Sequence, residues 1–402
     1  MTHHLSGWFR LTVAMAVVVA VSGCGRKTID RRETATPLAG APGGTSTSRA
    51  ALDDTVARMR ARVARTPGDA TAAVQLADAL LRQTRVIGNA GLAIEAERVL
   101  QGALKTDPDH YQVRRMLAAV YASQHRFRDA LAEANRCLTI RTDDAWVYGV
   151  IGDAHVELGE YDQAFDAFDR MTARRPNAAS YARASYAREL QGDLRGALQA
   201  MQMATEATSA QDPESLAWHH AQLGHLYLEL GQLTDARREF AHADYVFPDH
   251  PFAVEGLARV AAAEGDHARA LQILTRLLSE TPAPATLALA GDALASLGRS
   301  DEAERQYRLA EAAWQSDAPD PSRLARFLAE HGRRLDDAIR IAESTDRQDI
   351  FTADALAWAY FQTGRLADAQ AKIKVALSTG SRDRFIREHA AAIARAASGG
   401  TR

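Results

Sequence analysis

Apolar and polar positions divide the chain into three regimes. An unbroken apolar run, LTVAMAVVVAV at residues 11–21, follows a short segment whose one firm positive charge is Arg10. Residues 25–50, GRKTIDRRETATPLAGAPGGTSTSRA, have almost no apolar periodicity and hold Gly, Pro, Ser and Thr. From Ala51 onward no stretch alternates as a strand would, and the chain reads as helix.

Within the helical part a phrase recurs. Its clearest copies are YGVIGDAHVELGEYDQAFDAFDRMTARRP at 148–176 and HAQLGHLYLELGQLTDARREFAHADYVFP at 220–248. Each puts a small residue on a first helix (Gly152, Gly224), where two helices cross and close approach needs little side chain. Gly159 and Gly231 then supply a left-handed turn, Ala164 and Ala236 pack against the first helix, and Phe168 and Phe240 fill space toward the next pair. Pro176 and Pro248 stop the second helix. The crossing position recurs at Ala118, Gly152, Ser185, Gly224, Ala258, Gly291, Ala325 and Ala357, in steps of 34, 33, 39, 34, 33, 34 and 32. The packing alanines keep pace at Ala130, Ala164, Ala197, Ala236, Ala270, Ala303, Ala338 and Ala369. The long step is an insertion, TSAQDPES, at 208–215.

These residues resemble the tetratricopeptide repeat (TPR), with its roughly 34-residue period and W-x2-L-G-x2-Y, A-x3-F and P signature. The resemblance implies an all-α, right-handed superhelical solenoid of eight or nine helix-turn-helix pairs; another α-solenoid of similar period is the alternative. A first pair is expected at about 70–106, with an extended connection at 85–91, inside a solenoid at 67–378. One helix at 51–66 precedes it, and a capping helix and tail at 379–402 close it. The copy near Ala325 is degenerate: GRRLDDA has one residue more than usual between its glycine and alanine.

The N-terminal run is far shorter than the roughly 20 residues of a membrane-spanning helix and fits a signal-peptide core. Val21-Ser22-Gly23-Cys24 resembles the bacterial lipobox, which implies a signal peptide at 1–23 and a lipid-modified Cys24. An ordinary signal peptide with an incidental cysteine, or an uncleaved anchor, stays open. Residues 24–50 would be the anchor and a flexible, disordered tether. Gly25, where aspartate would favour inner-membrane retention, favours an outer-membrane position facing the periplasm in a Gram-negative cell.

Composition adds little. Hydrophobic residues make up 47% but aromatics only 6%, so Ala and Leu carry the apolar content, as in helices. A net charge of −3 gives no argument for nucleic acid. Lysine occurs only at Lys27, Lys105, Lys372 and Lys374.

In TPR arrays the first helix of each pair lines the concave face. By that resemblance the inward positions are Trp146, Asp153 and Glu157, then Tyr186 and Glu189, then Trp218, His225 and Glu229, then Phe252, Glu255 and Arg259. This aromatic and acidic stripe could take a peptide, with aromatics giving contact area and carboxylates pairing with Arg or Lys. It could equally be a solvated face with inter-repeat packing. Trp358 and Phe361 form a second aromatic spot. The Lys/Asn/Arg clamp of cochaperone TPR domains is not reproduced, since Arg115, Asp153, Tyr186 and His225 stand at the comparable places.

Other chemistries find no support. His219 and His220 are adjacent, and His220 and His225 are five apart, so neither pair shares a helix face for metal. His155 reads as a core or groove histidine, and Cys137 as an inert core thiol. No phosphate loop, dinucleotide motif or nucleophile elbow occurs, so neither a cofactor nor catalysis is expected. The sequence therefore predicts a lipid-anchored cell-envelope scaffold with a protein or peptide partner. Self-association into a larger assembly is the alternative, and an enzyme with an unrecognised groove site a remoter one.

Overall fold

The computed structural model describes residues 48–87, 89, 91–279, 282–315 and 321–399. The expected signal peptide, Cys24 and the tether up to residue 47 lie outside the described residues.

Among the described residues there are twenty helices and no strand. Helix α1 (Arg49–Arg65) is followed by nine pairs. The first three are α2 (Ala70–Ile87) with α3 (Gly91–Leu104), α4 (Tyr111–Ser123) with α5 (Phe127–Ile140), and α6 (Ala145–Glu157) with α7 (Tyr161–Arg174). Then come α8 (Ala178–Leu190) with α9 (Leu194–Glu206), α10 (Pro213–Glu229) with α11 (Leu233–Val246), and α12 (Pro251–Ala263) with α13 (His267–Leu278). The last three are α14 (Pro284–Ser296) with α15 (Ser300–Trp314), α16 (Pro321–Glu330) with α17 (Leu335–Ser344), and α18 (Ile350–Gln362) with α19 (Leu366–Ala376). Helix α20 (Arg384–Gly399) ends the stack. The chain is an all-α solenoid, as its period implied.

Two boundaries differ from the sequence expectation. Helix α1 begins two residues before Ala51, because Ser48 caps it by accepting from Ala51 N. Helix α2 runs through Arg85 to Ile87, so its connection to α3 is only residues 88–90. The buried Val86 holds that last turn down.

The repeat chemistry is visible at the crossing points. A Cβ on Gly152 would run into the Phe168 ring, and one on Gly224 or Gly256 into the Phe240 ring. Phe240 is thus wedged between its own pair and the next, where burying a Phe side chain contributes roughly 1.5–3 kcal/mol. At Ser185 the hydroxyl is buried but satisfied, donating to the Ala197 carbonyl at 2.8 Å. The turns within pairs take left-handed residues, Gly159 at φ 74° and Gly231 at 71°. The degenerate copy absorbs its extra residue the same way, with Arg334 at φ 41° before α17.

Several first helices of neighbouring pairs pack on one another, α2 on α4, α4 on α6, α10 on α12 and α16 on α18, whereas no comparable packing joins second helices among the described residues.

The array also touches itself across many pairs. The insertion at 208–215 lengthens α10 to 17 residues, against 13 in α6, α8 and α12. Its Asp212 meets Arg82 at 3.0 Å, and its Glu214 takes Arg85 in two bonds of 2.8 and 3.1 Å. Burial works to raise the Glu214 carboxyl, but Arg85 holds it below the usual range. Leu52 and Val86 join one apolar cluster with Ala217, Phe240, Phe247 and Ala253, seating α1 and α2 against α10–α12. Farther along, Val156, Phe168 and Leu190 belong to the same cluster as Leu324, Ile350, Leu356 and Ile386. Pairs three and four thus share a core with pairs eight and nine and with α20.

Candidate interaction groove

On α6, Trp146 is half-buried, with the Arg115 guanidinium 4.0 Å above its ring. Arg115 is 4% exposed and donates to Asp144 at 2.9 Å, which also accepts from the Tyr111 hydroxyl at 2.7 Å. Two turns along, Asp153 reaches across to Arg183 of α8 at 2.6–3.1 Å. Another turn brings Glu157, which binds Arg347 from the link between α17 and α18. Tyr186 packs on the large core cluster; burial pushes its hydroxyl pKa up, and the neighbouring Glu157 and Glu189 add to that.

Glu189 bonds His225 of α10 at 3.2 Å. Desolvation opposes protonation of His225, but the Glu189 bond and the fields of Glu189 and Glu229 outweigh it and raise the pKa. Glu229 is raised too, by burial first and then by Asp383 and Glu189, with His225 working against them. Arg259, exposed on α12, lies within the field of His225. Glu255 is buried and accepts from the Thr286 hydroxyl at 2.6 Å; its burial raises its pKa. Phe252 is partly exposed beside His250. Trp218 lies edge-on to His219 and packs with the apolar cluster of α8–α10.

Asp153, Glu157, Tyr186, Glu189, His225 and Glu229 therefore form one connected polar face. Trp146, Trp218, Phe252 and Glu255 are instead each engaged locally. The face is not an open trough. A recess lined by Glu189, Leu190, Leu194, Glu229, Phe351, Ser381 and Asp383 shows the C-terminal pairs standing over it. The second aromatic spot is covered as well: Trp358 stacks on Phe361 at 5.2 Å and on His389 of α20 at 4.1 Å, and His389 bonds Asp354. A terminal pair has one neighbour, and α20 supplies the missing cover.

The residues missed from sequence are the partners. Arg183 was within reach, since it lies two residues before the crossing Ser185 and faces the preceding pair. Arg347 and Asp383 lie in links outside the repeat period.

The other candidates have ordinary settings. His155 bonds Glu160, and His220 bonds Glu239 at 2.8 Å while stacking on His242. Burial drives His219 down to about 4, with Thr208 as its hydroxyl neighbour at 3.0 Å. Cys137 is buried, and burial pushes its thiol up to about 11. Among the described residues no group of three or more His, Cys, Asp and Glu is placed to hold a metal, and no helix is long and apolar enough to cross a membrane.

The tetratricopeptide-repeat family pattern matches residues 150–213 and 222–285, the stretch that carries the connected face. The chain contains tetratricopeptide repeats. No protein of curated function matches it in sequence. Among solved structures, the array is similar to a chain of the Cut9-Hcn1 hetero-tetramer of the APC/C, at 14% identity and a TM-score of 0.51. That match covers 85% of this chain and 59% of the other, so the TPR chain spans under two thirds of that relative. It is similar also to human IFIT1, solved as a dimer with PPP-AAAA, at 14% identity, a TM-score of 0.53, and coverage of 83% and 79%. At these identities the likeness is one of fold. TPR arrays are in general protein-interaction scaffolds, and that coarse role is the one the fold supports here.

Proposed function

We propose that this TPR protein is a lipid-anchored scaffold of the cell envelope that holds a protein or peptide partner on its concave face. The observation that carries the reading is the connected polar face from Asp153 to Glu229. Its carboxylates already engage the chain's own Arg183 and Arg347, and a partner's Arg or Lys would meet the same chemistry. The anchor and the location rest on the lipobox-like residues 21–24, and, in a Gram-negative cell, the outer-membrane, periplasm-facing position on Gly25. The PPP-AAAA of the IFIT1 complex is not carried over, because a net charge of −3 and an acidic face disfavour phosphate.

The test is a crosslinking capture from intact envelopes, comparing wild type with Glu229→Lys/Arg259→Glu. Both side chains are at least partly solvent-facing, so the variant should keep its helical circular dichroism. A partner recovered about tenfold less by the variant, the effect of a 1.4 kcal/mol loss, is the expected result. Equal recovery moves the site off this face. Crosslinks only between copies of the chain would favour self-association.

A further inference from the structure

The link between α17 and α18 is short and irregular, and it lies on α6 and α7 rather than on its own neighbours alone. Arg347 places its guanidinium on the Glu157 carboxylate and over the Phe127 ring at 5.6 Å. The next N–H, that of Gln348, donates to the Glu157 carbonyl at 3.2 Å, the open end of α6. The N–H of Ile350 donates to the Tyr161 hydroxyl at 2.8 Å. Thr345 and Asp349, at the two ends of the link, have extended backbone. A Cβ on Gly159 would collide with the Gln348 carbonyl, so the turn of pair three is shaped to admit a backbone there.

An extended segment with one arginine in an acidic and aromatic slot, backbone bonds on both sides of it, is how a groove of this kind holds a peptide. Here the segment belongs to the chain itself. We infer that residues 345–348, ahead of the buried start of α18, are a built-in occupant of the groove, and that the partner's segment is an extended, arginine-bearing peptide that takes their place. This rests on the groove reading above. A tethered occupant acts at an effective concentration in the millimolar range, and it lowers apparent affinity by the fraction of molecules in which the slot is closed. The partner then binds only where its own avidity or local concentration displaces the link.

The probe is a labelled synthetic octapeptide, Ser-Thr-Asp-Arg-Gln-Asp-Ile-Phe, identical to residues 344–351. Its binding is read by fluorescence anisotropy against the full chain and against Arg347→Ala. Arg347→Ala should bind it at least about tenfold more tightly than wild type, and a peptide with Ala for Arg should lose that gain. Glu157→Arg/Arg347→Glu, which rebuilds the pair with charges exchanged, should return binding to the wild-type level or below. Equal affinity for wild type and Arg347→Ala, or binding to neither, overturns the inference. The envelope capture uses Glu229 and Arg259 instead. A partner lost there with no peptide effect here would sink the occupant and spare the groove, and the converse would separate them the other way.

Discussion

His250 is fully buried, and neither of its ring nitrogens has a hydrogen-bond partner among the described residues. It sits at the cap of α12 between the Phe247 and Phe252 rings, facing Glu214 of α10, Arg85 of α2, Arg49 of α1 and Asp244 of α11. Burial drives its pKa down from 6.5 to about 4, and His219 nearby follows it for the same reason. Between those values the unfolded chain binds the protons and the folded chain does not, so stability falls as pH drops from 6.5 toward 4. Each group accounts for at most about 3 kcal/mol. His225 and His331, with raised pKa values, act in the opposite sense and lose their contribution as pH rises through those values. The difference between wild type and His250→Phe isolates the one group. Urea midpoints should show a flatter acid limb for His250→Phe between pH 6.5 and 4, with stability at pH 7 unchanged or higher. The same slope in both proteins would mean that His250 is protonated in the fold.

Helix α18 starts on Asp349, which is 2% exposed and accepts from the N–H groups of Phe351 and Thr352 and from the Thr352 hydroxyl at 2.7–3.1 Å. Because the same carboxylate also holds Arg347 at 3.3 Å, cap and groove occupant are coupled. Asp349→Ala should cost about 2 kcal/mol, the upper end for a cap, and Asp349→Asn much less, read by chemical denaturation. A cost for Asp349→Ala below about 0.5 kcal/mol would show that the cap carries little. The pairs α6–α7 and α10–α11 were legible in the sequence because Gly, Ala, Phe and Pro each answer a steric need of the crossing or the turn. The end of α2 was not, because two glycines close behind Arg85 imply a loop, and the burial of Val86 that extends the helix comes only from packing. The periodic helices carry every residue of the stripe, but spacing says nothing of what covers each one, and Trp146, Trp218, Phe252 and Glu255 are engaged by their own neighbours. The stripe's partners were legible only in part. Arg183 shares the period, whereas Arg347, Asp383, Asp212 and Glu214 sit in links or the insertion, where sequence spacing says nothing about distance in space.

A linear repeat array is held by each unit's contact with the next, so its stability adds up along the chain. This one adds closures between distant units, among them Arg82 and Arg85 on Asp212 and Glu214, and residues 345–350 on α6 and α7. Arg85→Ala/Arg347→Ala should enlarge the radius of gyration by small-angle scattering while leaving helical circular dichroism intact. An unchanged radius would mean that the shared apolar clusters alone set the curvature. Arrays of this sort ordinarily lengthen and shorten over evolution, since duplicating one unit leaves every neighbouring contact as it was. Here a single extra pair between α3 and α9 would carry Arg85 away from Glu214, and one between α7 and α17 would carry Glu157 away from Arg347. The number of units in each arc is therefore fixed by its closing contact, and descendants of this chain should vary at their ends and in their links rather than in their repeat count.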